Sequence, residues 1–179
     1  LVTGDAARMA HAGNEIEFLK SRYDIVEQFN NIKQDPEFKI RVTHHDTKIS
    51  NVLLDENEKG ICVIDLDTVM PGYFFSDLGD MFRTYLSPAN EEEKDLSKIS
   101  VRKDFYDAIV KGYLVFMGTE LSTKEKLHFH YAGEFMIYMQ ALRFLTDYLN
   151  MDRYYGQLYE GHNLLRAQNQ IALLQLFIP

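Results

Sequence analysis

The segment Thr43-His44-His45-Asp46-Thr47-Lys48-Ile49-Ser50-Asn51 holds the densest chemistry in the chain, and Val63-Ile64-Asp65-Leu66-Asp67 follows it closely. A carboxylate on a rigid loop can orient an attacking hydroxyl and accept its proton, and Asp46 has that position. Asn51 and Asp65 offer a carbonyl and a carboxylate. Such oxygen donors suit magnesium, which demands octahedral geometry and keeps some of its waters. Lys48 adds a cation able to neutralise phosphate. Phosphoryl transfer from a nucleotide needs this set: a placed hydroxyl, an acceptor for its proton, and metal to neutralise the polyphosphate. Asp67 is open between a second metal ligand and a cap on the following turn. His45 reads as loop filler.

Three short apolar segments must position these groups. Lys39-Ile40-Arg41-Val42 leads into the polar loop and Val52-Leu53-Leu54 leads out. Gly60-Ile61-Cys62-Val63-Ile64 then delivers Asp65. The polar, glycine-ended stretch 55–60 between them predicts a hairpin that brings Asn51 close to Asp65 and buries Cys62.

The remainder reads as helix. Residues 5–34 carry Ile16, Leu19, Tyr23 and Val26 at helical spacing, with Asn14 and Glu17 as a possible capping box. Residues 68–75 form an irregular segment with a Pro-Gly turn. Asp77 is placed to cap a helix running through Phe82, Tyr85 and Leu86, with Asp80 in its first turn. Glu91-Glu92-Glu93-Lys94 is a solvated charge run. Val101, Phe105, Ile109, Tyr113 and Phe116 mark one helical face. Ser122 with Glu125 is a capping box that opens a long helix bearing a core stripe from Leu127 through Tyr131, Phe135, Tyr138, Leu142 and Leu145 to Leu149. A last amphipathic helix spans residues 163–177. The expected class is α+β and mostly helical, a small hairpin among about five helices.

With 179 residues, 46% of them hydrophobic, the chain supports one core, so residues 1–179 are expected to form a single domain. The formal charge of −8 disfavours nucleic acid and anionic membrane as partners. A single cysteine excludes an internal disulfide and suits a reducing cytoplasm. No apolar run approaches the ~18–20 residues of a membrane span, and no secretion signal is visible.

His44-x-Asp46-x-x-x-x-Asn51 followed by a strand ending in Asp65 resembles the protein-kinase-like superfamily, in particular its aminoglycoside phosphotransferase and choline kinase branch. The resemblance implies Asp46 as catalytic base, Asn51 and Asp65 as magnesium ligands, and Lys48 in a position where protein kinases also place a lysine. It implies His44 as a buried histidine supporting the loop, and Asp77 in Asp77-Leu78-Gly79 as the aspartate that steadies it. Within that branch, Thr43–Asp55, Val63–Gly72 and Ala141–Leu149 resemble N-acetylhexosamine 1-kinases. Those enzymes phosphorylate the anomeric hydroxyl of N-acetylglucosamine or N-acetylgalactosamine with ATP and magnesium. By this resemblance Arg143 and Asp147 reach the sugar hydroxyls. The alternative is an i,i+4 ion pair.

The superfamily places its nucleotide under an amino-terminal lobe with a phosphate-covering loop. Neither Gly-x-Gly-x-x-Gly nor Gly-x-x-x-x-Gly-Lys occurs in this sequence, and it opens Leu1-Val2-Thr3 rather than on methionine. The expectation is a carboxy-terminal lobe alone, inactive by itself and partnered by the amino-terminal lobe it lacks. Two other readings stand beside an N-acetylhexosamine kinase. An aminoglycoside or choline kinase would suit the net negative charge, and a non-catalytic pseudokinase module is the third. A metal-dependent hydrolase built on Asp46, Asp65 and Asp67 would call for further ligands.

Overall fold

The computed structural model describes residues 5–178; the Leu1-Val2-Thr3 start lies outside them. The predicted first helix is three: α1 (Ala6–His11), α2 (Gly13–Ser21) and α3 (Asp24–Ile32). Asp5 opens α1 by accepting the Ala7 and Arg8 amides, and the chain turns again at Ala12 and at Arg22–Tyr23. Asn14 makes no cap, because α2 already starts at Gly13. The breaks let short apolar stretches wrap around a curved surface. Leu19, Ile25 and Ile32 are buried against the body, and the buried Tyr138 and Tyr131 hydroxyls donate to the Leu19 and Ile25 carbonyls.

Strands β1 (Arg41–Thr43), β2 (Val52–Leu54), β3 (Gly60–Val63) and β4 (Met70–Gly72) make two separate antiparallel pairs. The expected hairpin is β2 with β3, in the register Val52 to Val63 and Leu53 to Cys62. The second pair was not foreseen: β4, predicted as an irregular segment, pairs with β1 so that Pro71 stands opposite Val42. Proline is tolerated there because a two-stranded ribbon has a free edge on each strand. Gly72 admits the close approach, since a Cβ would lie 2.5 Å from the His45 ring and from Thr43 Oγ1.

Cys62 is exposed, against expectation. Its strand is apolar, but among the described residues no second layer covers the hairpin, so Leu53, Leu54, Ile61 and Val63 also face solvent.

The helical body follows: α4 (Phe75–Tyr85), α5 (Lys103–Met117), α6 (Thr123–Leu127), α7 (Phe129–Leu149) and α8 (His162–Phe177). Helix α7 is the spine, packed against both α4 and α8. Phe75, Leu78 and Phe82 of α4 interlock with Ile137, Ala141 and Phe144 of α7 and Leu173, Leu174 and Phe177 of α8. Gly79 permits the α4–α7 approach, because any Cβ there would overlap the Ala132 carbonyl. The face of α5 is rotated from the predicted one. Phe116 is exposed, while Tyr106, Val110, Leu114 and Met117 join Ile109 and Tyr113 against the core. Apolar residues cover more than half of this helix, so spacing alone left two faces possible.

The Ser122 capping box forms, with Glu125 N–H donating to Ser122 Oγ and Ser122 N–H to Glu125 Oε2. The helix it opens stops after Leu127, where His128 Nδ1 donates to the Lys124 carbonyl and the chain re-enters helix at Phe129. Leu127 is consequently exposed, and the core stripe begins at Tyr131. Glu125 reaches beyond its cap: fully buried, it accepts Arg41 Nη1 at 2.7 Å, Arg41 Nη2 at 2.9 Å and Lys39 N–H at 3.0 Å.

Burial alone would lift the Glu125 carboxyl, but hydrogen bonds from Arg41 and the two backbone amides outweigh it and hold its pKa below the usual value of 4.5. A group depressed on folding stabilises above its unfolded pKa, and that contribution is lost as pH falls through the folded pKa. Glu125→Gln should therefore cost about 3 kcal/mol at neutral pH, in the range for breaking a buried pair. Denaturant melts should show the gap to wild type closing below pH 4.5; a gap independent of pH would place the effect elsewhere.

Candidate active site

Strand β1 ends at Thr43 and delivers the loop that carries Asp46. His45 takes a left-handed conformation (φ 67°), which turns the chain sharply enough to present Asp46 outward. The loop is held at several of its backbone groups. Asp77 Oδ1 accepts His45 N–H at 2.8 Å and His44 N–H at 3.0 Å, with Oδ2 sharing the latter. Asp77 thus serves the loop rather than capping α4, where it is the third residue, within the first turn, and makes no cap bond. Thr68 Oγ1 donates to the His44 carbonyl at 2.6 Å and Thr47 Oγ1 to the Asp77 carbonyl at 2.8 Å. The Tyr85 hydroxyl donates to the Thr47 carbonyl. Burial, helped by nearby Asp80, pushes the Tyr85 phenol to about 12, which keeps it a donor.

His44 is half-buried rather than fully buried, and it bridges the two halves of the site. Its Nε2 lies 3.0 Å from the Ile64 carbonyl, an acceptor only, so Nε2 carries a proton. Its Nδ1 accepts Asp46 N–H at 3.3 Å. One neutral tautomer satisfies both contacts and ties the Asp46 loop to the end of β3.

The chemistry-bearing side chains converge. Asp46 Oδ2 accepts Lys48 Nζ at 2.7 Å and Asn51 Nδ2 at 2.9 Å, leaving Oδ1 without a partner among the described residues. The Asn51 amide also donates to the Asp46 carbonyl at 2.9 Å, so its nitrogen is spent and its Oδ1 is the atom left for a cation. Asp65, on the far side of the hairpin, brings Oδ2 to 4.0 Å from Lys48 Nζ. It too is left-handed (φ 63°), an uncommon state for a residue with a Cβ and one that concentrates at functional sites. The Asp46 hydrogen bond first, and its charge and that of Asp65 after it, hold the Lys48 ammonium pKa above its ordinary value against the opposing effect of burial.

Asp67 stays outside this cluster. It is exposed on the turn Leu66–Thr68, and among the described residues its side chain makes no hydrogen bond that would cap that turn. Among the described residues no three His, Cys, Asp or Glu side chains gather as a closed metal site. The Asn51–Asp65 donor pair instead fits magnesium, which completes its shell with phosphate oxygens and water.

Asp46 and Lys48 open onto a cleft of about 540 Å³ between the loop, α4, α7, α8 and the segment 87–91. Its far wall holds Gln140, Arg143, Tyr155 and Arg166. Arg143 is exposed there and lies 5.5 Å from the Tyr155 ring centre and 5.8 Å from that of Tyr154. It does not pair with Asp147. That carboxylate is buried and accepts Tyr154 N–H at 2.8 Å, Tyr155 N–H at 2.9 Å and Asn163 Nδ2 at 3.1 Å. Asp147 shapes the loop that carries Tyr155, and the cleft does not include it.

The charge run at Glu91 is only partly solvated. Glu91 accepts Arg83 Nη1 at 2.9 Å and pairs with Arg166, clamping its segment between α4 and α8. Arg83 also holds the buried Asp80 at 2.8 Å. Burial, only partly offset by Arg83, raises the Asp80 pKa. Arg83 and Arg166 are invisible to motif reading; the usable signal is an arginine placed within an otherwise apolar helical face, which demands a buried counter-charge.

The molecule is a mainly helical α+β protein whose one constellation of loop carboxylate, lysine, amide and second carboxylate sits at the mouth of a polar cleft, the layout of a phosphoryl-transfer enzyme. Residues 5–116, more than half of the chain, match the phosphotransferase enzyme family. The chain belongs to that family, whose fold is kinase-like.

Proposed function

We propose that this chain carries the catalytic and acceptor-binding half of a small-molecule kinase that transfers phosphate from ATP to a sugar hydroxyl. The observation that supports it best is Asp46 at the cleft mouth, its Oδ2 fixed by Lys48 and Asn51 and its Oδ1 free. In this reading Oδ1 accepts the proton of the attacking hydroxyl, Lys48 holds Asp46 in place and meets phosphate charge, and His44 and Asp77 keep the loop in register. Asn51 and Asp65 hold magnesium, which when bound offsets the polyphosphate charge. The anomeric hydroxyl of N-acetylglucosamine or N-acetylgalactosamine is the proposed acceptor, on the resemblance of three separated motifs. Arg143 takes the acceptor-binding role, and Asp147 a supporting one.

The nucleotide is proposed to be covered by a further lobe seated on the uncovered strands. Ile40, Val42, Leu53, Ile61, Val63 and Leu66 are all exposed there, an apolar patch of the kind that marks an interaction surface. A cytoplasmic location is proposed with it. No helix of the described residues is long and apolar enough to cross a membrane.

The test supplies a nucleotide-binding lobe ahead of residue 5 and screens N-acetylated hexoses, aminoglycosides and choline with Mg-ATP, following new phosphate esters by phosphorus NMR. An anomeric sugar phosphate is expected, and no ester on any alcohol would overturn the reading. Asp65→Ala should weaken binding of the spin probe Mn²⁺ at least about tenfold, the lower end for losing a metal-site group. Unchanged Mn²⁺ affinity would remove Asp65 from the metal role.

A further inference from the structure

The chain as a whole is strongly acidic, yet its cleft is not. Lys48, Arg83, Arg143 and Arg166 line it against only three carboxylates, those of Asp46, Asp80 and Glu91. Two of the carboxylates are withdrawn from any ligand. Asp80 is buried on Arg83 at 2.8 Å, and Glu91 is held between Arg83 and Arg166. Asp46 already carries the Lys48 ammonium. Arg143 is the reverse case: it has no carboxylate partner among the described residues and rests only on tyrosine rings at the exposed rim. Arg166 adds a buried, unspent Nε–H in the same wall. Asp65 stands at the mouth, 4.0 Å from the Lys48 ammonium; the cleft wall itself keeps one unneutralised guanidinium and no free carboxylate, so it repels a cation and attracts hydroxyl, carbonyl or anionic oxygens.

We infer that the acceptor cleft is a charge filter, set by Arg143, that admits neutral and anionic hydroxyl compounds and rejects cationic ones such as aminoglycosides and choline. The inference rests on the reading of this cleft as the acceptor site, and it runs against the preference that the net charge of −8 suggests. The local sign governs because exposed charges beyond roughly 8–10 Å are screened at ordinary salt.

The test measures binding without ATP, so that it does not depend on catalysis. The chain is titrated by two-dimensional amide NMR with three compounds built on one ring: N-acetylglucosamine, glucuronate and glucosamine, the last protonated at mildly acidic pH. Glucosamine should bind at least about tenfold more weakly than the other two, a difference near 1.4 kcal/mol. The gap should narrow when its amine is deprotonated and the glucuronate advantage should fade with added salt. Arg143→Glu should reverse the order of glucuronate and protonated glucosamine. Equal or tighter binding of protonated glucosamine by wild type, an unchanged order in Arg143→Glu, or no binding of any of the three would each overturn the filter. Phosphorylation of a cationic acceptor would sink the filter and leave the kinase reading standing. The expected order of affinities without any phosphoryl transfer would do the opposite.

Discussion

Asp46→Asn should lower phosphoryl transfer about a thousandfold in the lobe-completed enzyme, within the 10²–10⁴ range for losing a positioned general base. The acceptor KM should stay within about threefold, because the side chain keeps its size and one oxygen and the change falls on the proton-accepting step. Fold stability should hold as well. Asn51 Nδ2 still has the residue 46 carbonyl as an acceptor, and Lys48 is sufficiently exposed to find water. The measurement that decides is the split between kcat and KM together with a melting curve. A thousandfold loss carried entirely by KM would mean that Asp46 binds rather than catalyses. An unchanged kcat would remove it from the mechanism.

How much of this site the sequence made legible follows from the range of the forces involved. The span from Asp46 to Asn51 and the strand ending in Asp65 are local features, set by a short loop and a hairpin whose turn residues are explicit. The approach of Asn51 to the end of the second strand could be read from spacing; the bonds from Lys48 and Asn51 to Asp46 could not. The Ser122–Glu125 capping box is equally local, and it formed. What spacing could not supply was partner choice across the chain. Asp77 could cap its own helix or accept amides from a loop thirty-odd residues earlier, and only the docking of β1 beside α4 decides between them. Asp147 and Arg143 sit one turn apart on α7. Their separation into a buried loop staple and an exposed cleft residue depends on where residues 151–156 return to the helix. Cys62 and its strand read as buried because they are apolar. Hydropathy reports what a segment would prefer, and among the described residues nothing lies over this one.

The tether that positions the loop should matter almost as much as the base it positions. Asp77→Ala removes the only side-chain acceptor that the His44 and His45 amides have among the described residues, and leaves the loop with two half-buried donors unpaired there. Leaving such donors unpaired costs roughly 1–3 kcal/mol each, less where water enters, so a stability loss of about 2–3 kcal/mol is expected. The left-handed turn at His45 persists only while its surroundings hold it, and the Asp77 carboxylate is one of those restraints. Released, the loop can relax toward an ordinary backbone conformation and swing Asp46 out of line. A displacement near 1 Å at a reacting group can cost about a hundredfold in rate. A purely structural aspartate would lower the melting temperature and leave kcat intact below it, so rate and stability must be measured on the same samples. Amide hydrogen exchange at residues 44–47 separates the cases further: those amides should exchange faster in Asp77→Ala while the α7 core does not. Asp77→Asn, which retains one carbonyl oxygen for the 2.8 Å bond to His45 N–H, should recover much of the rate. If it recovers stability without rate, the negative charge itself is needed at the foot of the loop, and the tether would be electrostatic as much as geometric.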